Sequence, residues 1–319
     1  MQNNVRYENI WLVGAGPMAE AHADVLKSQG RKFTVIGRGE KRAAAFEASK
    51  GVPVLRGGID DVLSETDFCP EYAIVATNVE SLKDNLISLI NRGVKNILAE
   101  KPAGLNLPQI EEVNDAAEKA GVCVYVAYNR RFFASVIKAR EIINEDGGVK
   151  SFNFEFTEWA HVIEKLDKTP ESLKNWLLAN SSHVIDLAFY LGGTPVEMSS
   201  FTGSDDGWYG HSAVYSGAGR TDCGALFSYQ ANWRGPGRWS VEMITSKHRL
   251  IFRPIEKLQI QEIGSVKTEF VEIDDSLDSL YKPGLYLQAR AFFEKDNSDM
   301  ISLQEHVTHA RLYEKISNP

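Results

Sequence analysis

The residues best placed to do chemistry are Glu100-Lys101-Pro102, a carboxylate, an amine and an imino acid brought to one point by the apolar run Ile97-Leu98-Ala99. A lysine amine beside a hydroxyl or carbonyl can take or return the proton that accompanies oxidation or reduction of that carbon. Pro102 narrows the conformations open to Lys101 and raises the incidence of a cis peptide, which would set the amine on stiff backbone. Taken alone, the same three residues read equally well as a surface ion pair closing a strand. His183 is the second candidate. It stands at the start of a helical stretch that Ser181 or Ser182 could cap, with Asn180 nearby as a neutral hydrogen-bonding group. Without wider context, a histidine in that position is usually a capping or packing residue.

An acid–base lysine needs a partner that moves the electrons, and the start of the chain offers a place for one. Ile10-Trp11-Leu12-Val13 is a short apolar strand, followed by Gly14-Ala15-Gly16-Pro17-Met18-Ala19 and a helical stretch to Ser28. In a G-x-G-x-x-A turn the first glycine permits the tight turn and the second lets backbone approach a pyrophosphate. The small third position lets helix pack on strand. A second strand, 33–36, follows the helix and supplies the context for a dinucleotide site. Gly14, Ala15, Gly16, Pro17 and Met18 are the expected phosphate contacts. About twenty residues on, an acid would normally read the ribose 2'-hydroxyl, but this chain has Gly37-Arg38 and then Lys41-Arg42. A carboxylate would repel a 2'-phosphate, whereas Gly37 leaves room and Arg38, with Arg42, can pair with it. NADP is therefore the expected cofactor, ahead of NAD, although Arg38 stacked on adenine would also serve NAD.

Helix and strand patterns then alternate: helix 41–50, strand 52–55, helix 59–64, a strand from Tyr72, helix 81–92, the strand before Glu100, helix 107–120 and strand 122–127. This alternation predicts a Rossmann domain, a doubly wound parallel sheet, over residues 1–127. Ligands of such sheets lie outside the carboxyl ends of the strands. Thr77, Asn78, Glu100, Lys101 and the run Tyr128-Asn129-Arg130-Arg131 all fall at such ends.

Gly14-Ala15-Gly16, Ala76-Thr77-Asn78 and Ala99-Glu100-Lys101-Pro102, in that order through the first half, resemble the glucose-fructose oxidoreductase and inositol dehydrogenase (Gfo/Idh/MocA) superfamily of NAD(P)-dependent oxidoreductases. The resemblance implies that Lys101 lies beside the nicotinamide and the substrate hydroxyl and takes part in proton transfer. It implies that Glu100 and Asn129 contact cofactor or substrate. It also implies a helix in the second half bearing an acid and, four residues later, a histidine that reaches the reacting carbon. His183 matches, but four residues before it stands Ala179, with Asn180 beside it, so Lys101 is left as the principal acid–base group. The expected activity is hydride transfer between nicotinamide and a ring carbon of a sugar, polyol or sugar nucleotide, with Arg130, Trp159, Asn180 and His183 on the substrate side. The missing acid keeps a second expectation open, a non-catalytic dinucleotide- and sugar-binding regulator on the same scaffold.

After residue 148 the pattern changes. Lys150 to Trp159 alternates apolar and polar, and strand-like runs follow at 196–203, 212–216, 224–233, 240–245, 248–252, 257–262 and 268–273 without long helices between them. This predicts an α+β domain, residues 128–319, built on a large, open, mostly antiparallel sheet. A free sheet face would suit homodimer or homotetramer formation, and the helical tail, 284–315, would pack back on the first domain. Trp233-Arg234 and Arg238-Trp239 offer surfaces suited to a sugar ring or a phosphate-bearing group, or simply close a strand-turn-strand connection. His306 and His309 are spaced as metal ligands can be, but without a third ligand they read as a solvated face, and no metal is expected. The 319 residues carry a formal net charge of -8, which gives neither nucleic acid nor an anionic membrane an attraction. Cys69, Cys123 and Cys223 are scattered, which fits a reducing cytoplasm with buried thiols, and the start shows no signal-peptide pattern.

Overall fold

The computed structural model describes residues 7–203 and 207–318. The chain folds into two compact units, one running to Tyr128 and taking back Leu280–Val307, the other comprising Asn129–Ser279 and the segment from Thr308. In the first unit six parallel strands, β1 (Ile10–Val13), β2 (Thr34–Ile36), β3 (Val54–Leu55), β4 (Tyr72–Val75), β5 (Asn96–Ala99) and β6 (Cys123–Val126), lie in the order β6-β5-β4-β1-β2-β3. Between them run α1 (Pro17–Ser28), α2 (Glu40–Lys50), α3 (Ile59–Glu65), α4 (Leu82–Arg92) and α5 (Leu107–Ala120). The central strands are apolar at successive positions because helices cover a doubly wound sheet on both faces, so Trp11, Leu12, Ile74 and Leu98 are all fully buried. Strand order reverses between β1 and β4, and the loops after these two strands open the crevice in which such sheets bind ligands.

The second unit begins with α6 (Ala134–Glu145) and β7 (Ser151–Glu155), then two short helices, α7 (Ala160–Ile163) and α8 (Pro170–Lys174). A π-helical turn, Leu177–Ser181, runs directly into α9 (Ser182–Gly192). Strands β8 (Pro195–Thr202), β9 (Val214–Thr221), β10 (Leu226–Asn232), β11 (Ser240–Ile244), β12 (His248–Phe252), β13 (Gln259–Glu262) and β14 (Glu269–Phe270) complete a sheet of order β14-β13-β12-β11-β7-β10-β9-β8. Every pair is antiparallel except β7 with β10. Helix α9 covers one face: the Phe189 ring sits edge-on to Phe152, Phe154 and Phe227 with centroids 5.1–6.0 Å apart.

After α10 (Ser276–Leu280), helix α11 (Leu285–Glu294) packs on α1. Strand β15 (Ile301–Ser302) then pairs antiparallel with β6 before the last helix, α12 (Leu303–Ser317). The expected continuous helical tail is thus interrupted, because Met300 and Ile301 bury themselves along the β6 edge. Other expectations are corrected in the same way. The strand read over 150–159 stops at Glu155, and the run read over 212–216 belongs to a longer β9. All three cysteines are exposed and unbonded rather than buried. His306 and His309 do not form a solvated face: His306 is fully buried with Nε2 2.9 Å from the Pro102 carbonyl oxygen, and His309 lies 3.4 Å from Asp186. Among the described residues no cluster of potential metal ligands occurs, and no helix is long and apolar enough to cross a membrane.

Candidate cofactor and substrate sites

In the first unit the turn after β1 is shaped by two glycines for two reasons. Gly14 has φ 126°, and a Cβ there would overlap the Ala76 carbonyl oxygen, so the turns after β1 and β4 touch through bare backbone. Gly16, at the N-cap of α1, would place a Cβ in open space, with no protein atom within 4 Å. No side chain caps this helix, and its N-terminus adjoins the space that Gly16 leaves, an arrangement suited to an anion. Ala15 and Met18 flank the turn, and Pro17 occupies the first helical position, where its missing N–H costs nothing. Gly37, by contrast, answers to packing: a Cβ would lie 2.9 Å from Val54 and 3.2 Å from Ala15. The glycine is required whether or not a phosphate approaches. Arg38 and Arg42 are exposed and form no ion pair with any described residue.

At the neighbouring strand ends, Thr77 Oγ1 accepts a hydrogen bond from Asn85 (3.1 Å), and Asn78 donates to Glu80 (2.8 Å). Glu100 and Lys101 follow β5, the Lys101–Pro102 peptide is cis, and the Glu100 carboxylate is buried 3.4 Å from His22 Nε2. His22 escaped the sequence reading. It is fully buried in the inward stripe of α1, Ala19-His22-Ala23-Leu26, and a lone polar residue in an apolar stripe was the available signal.

In the second unit a cavity of about 680 Å3 is walled by Arg130, Asn180, Arg238, Trp239, Arg253 and Glu256, among others. Arg130 comes from the 3-10 turn Asn129–Phe132, Asn180 from the π turn, and Arg238 and Trp239 from the connection into β11. Behind this wall lies Glu158, 1 % exposed, which accepts hydrogen bonds from Asn180 (2.9 Å), Ser181 (2.8 Å) and Arg238 (3.2 Å). Burial pushes the Glu158 carboxyl up, against the downward pull of those three donors. Glu158 was also missed, yet Phe152, Phe154 and Phe156 point inward at every second position and Glu158 is the next in the series.

Trp159 does not line this cavity. It is exposed, donates to the Gly237 carbonyl (2.9 Å), and its ring receives the Arg238 guanidinium at 4.9 Å. His183 is buried, with its ring 6.5 Å from Trp239. Neither serine caps the helix as expected, since Ser181 binds Glu158 and Ser182 bonds back to Leu178. Asn129 is buried at the opening of the unit. Arg131 is withdrawn from any ligand edge: it forms a two-pronged buried pair with Asp186 (2.6 and 2.9 Å), which anchors α9.

Residues 9–128 match the model of a family described as an oxidoreductase family with an NAD-binding Rossmann fold. In its parallel strand order and glycine turn this segment is similar to that family. A glucose-6-phosphate 3-dehydrogenase of Bacillus subtilis is 24% identical over 193 residues, 58% of this chain and 53% of that protein. A D-xylose 1-dehydrogenase (NADP(+)) of Haloferax volcanii is 24% identical over 305 residues, 92% of this chain and 90% of that one. The chain spans about half the length of the first curated relatives it matches. Levoglucosan dehydrogenase, solved with NADH and levoglucosan, shares the fold along 98% of this chain and 96% of its own, with a TM-score of 0.77 at 18% identity.

Proposed function

We propose that the protein oxidises or reduces a ring carbon of a sugar, polyol or sugar nucleotide using NADP, with NAD as a weaker alternative, and that Lys101 moves the proton. The observation that carries this reading is the Glu100-Lys101-Pro102 turn at the carboxyl end of β5, two strands from the β1 turn whose Gly16 leaves space for a pyrophosphate. A bound nicotinamide supplies or accepts the hydride. Lys101 gives a proton to the substrate oxygen in reduction and takes it in oxidation. His183 hydrogen-bonds the substrate, and Asn180 and Arg130 bind its polar substituents. Thr77, Asn78, Glu100 and Asn129 serve the cofactor. The preference for NADP rests on Arg38 and Arg42, two exposed cations free to meet a 2'-phosphate. The relatives named for glucose 6-phosphate, D-xylose and levoglucosan support the sugar class. The sheet face that exposes Phe201 and Leu226 is read as the surface of a homodimer or homotetramer, which sedimentation would detect.

The test is the absorbance of reduced nicotinamide while NADP or NAD is mixed with a panel of hydroxy-sugars, and NADPH or NADH with keto-sugars. Turnover favouring the phosphorylated cofactor is the expected result. Tight NADPH binding with no turnover of any sugar would replace this reading with a non-catalytic sensor, the alternative that Ala179 in place of an acid favours.

A further inference from the structure

We propose that the substrate carries an anionic group, a carboxylate or a phosphate, received by Arg130 in the cavity it shares with Arg238 and Trp239. This inference rests on the dehydrogenase reading and narrows its substrate class.

Three guanidiniums face the cavity, and two already have partners. Arg253 lies 3.5 Å from the Glu155 carboxylate and 3.0 Å from Ser240 Oγ, and Arg238 lies 3.2 Å from Glu158. Arg130 has no carboxylate within ion-pair distance among the described residues, and its buried Nε–H donates to none of them. Its guanidinium carbon stands 4.9 Å from the Trp239 ring centroid, and that of Arg238 stands 4.6 Å from the same ring. Two cations therefore converge on one indole with a counter-ion for only one of them. Burial, reinforced by the charge of Arg238, brings Arg130 down to about 10, so it is still charged at neutrality. Glu256, Glu158 and Asp186 are the carboxylates whose fields favour that charge, and none of them lies within ion-pair distance of it.

A half-buried guanidinium without a partner is a costly arrangement that an incoming anion relieves. A guanidinium also carries a pair of N–H donors on its two Nη groups, and that pair matches two oxygens of a carboxylate or phosphate. A neutral hydroxyl could accept one of these hydrogen bonds but would leave the charge uncompensated. Contact with the Trp239 ring restrains the guanidinium, so less side-chain freedom remains to be lost on binding.

The experiment compares D-glucuronate with its neutral isostere D-glucuronamide, and a hexose 6-phosphate with the free hexose. It uses kcat/KM with NADP and calorimetric binding to the NADP-saturated protein. The expected result is a preference for the anion of about tenfold or more in one pair, the scale of one charge-assisted pair, and the responding pair tells carboxylate from phosphate. Arg130→Gln should collapse that ratio toward one, and Arg130→Lys should keep part of it. Equal handling of anion and isostere in both pairs overturns the proposal. So does an Arg130→Gln protein that loses both members of a pair in proportion, which is what a purely stacking residue would give. If Arg130→Gln does not fold, the wild-type ratio and its decline with added salt decide. Selective binding of an anion without turnover of any sugar would sink the dehydrogenase reading and leave the anion site standing.

Discussion

Gly14 and Gly16 sit two residues apart in one turn and answer to different constraints. An alanine at Gly14 must tolerate φ 126° and collide with the Ala76 carbonyl, so Gly14→Ala should lower stability by about 2 kcal/mol or more in thermal unfolding. Gly16→Ala meets no protein atom and should leave the unfolding midpoint nearly unchanged while weakening NADPH binding about tenfold in a fluorescence titration. Lys101→Ala should retain NADPH binding and lose at least about two orders of magnitude in turnover; near-normal turnover would reject its acid–base role. At Asp186, burial works to raise the carboxyl, but Arg131 and His309 outweigh it and hold it at about 2, below the usual 3.8. An acid depressed in this way adds stability that is complete above its unfolded value and is lost as pH falls through the folded one. Its contribution should therefore disappear between 3.8 and about 2. Asp186→Asn strands Arg131 in the interior, so unfolding at neutral pH should show a loss of about 3–5 kcal/mol and a flatter response to acid. The sequence made the Gly14–Gly16 turn legible because local spacing carries its meaning. It hid the partners of Arg131 and Glu158, which come from residues 55 and 22 or more positions away and are brought there only by tertiary packing.

Among the elements, each of the six parallel strands was legible, since strands buried on both faces are continuous apolar runs, although the run read over 52–55 is a strand only at Val54–Leu55. Strand β9 was not. Its Val214-Tyr215-Ser216-Gly217-Ala218-Gly219 composition reads as a strand that fails at the glycines, yet pairing with β10 continues through them to Arg220. The cause lies across the sheet: a Cβ at Gly217 would overlap the Tyr229 ring, and one at Gly219 the Phe227 ring. The aromatic side chains of β10 lie over bare backbone and supply the packing that the glycines omit. Gly217→Val, favourable by strand propensity alone, should therefore destabilise the second unit by about 1–3 kcal/mol, the cost of overpacking, as measured by urea unfolding. Helix α9 was located correctly, with Ser181 at its N-cap, but no side chain caps it: the helical path continues back through the π turn Leu177–Ser181, and both serines spend their hydroxyls elsewhere. No periodicity reports a π turn, because it inserts one residue without changing the composition.

At the scale of the whole molecule, the chain closes its first unit with Leu280–Val307, so that unit is not one continuous stretch of sequence. A fragment ending at residue 128 lacks β15 on the β6 edge and α11 against α1, where the Arg31 guanidinium lies 4.1 Å from the Phe293 ring centroid. That fragment should aggregate or unfold readily, whereas the intact chain should stay monodisperse in light scattering; a soluble, cooperatively folding fragment would refute the point. The placement of β15 also bears on synthesis. While the ribosome is still making the second unit, all six parallel strands of the first sheet have been synthesised, but the β6 edge lacks the strand that pairs with it. Completion waits until Ile301 and Ser302 emerge, some 175 residues after the strand they protect. A chaperone that shields exposed strand edges would therefore have its longest engagement here with the part of the protein translated first.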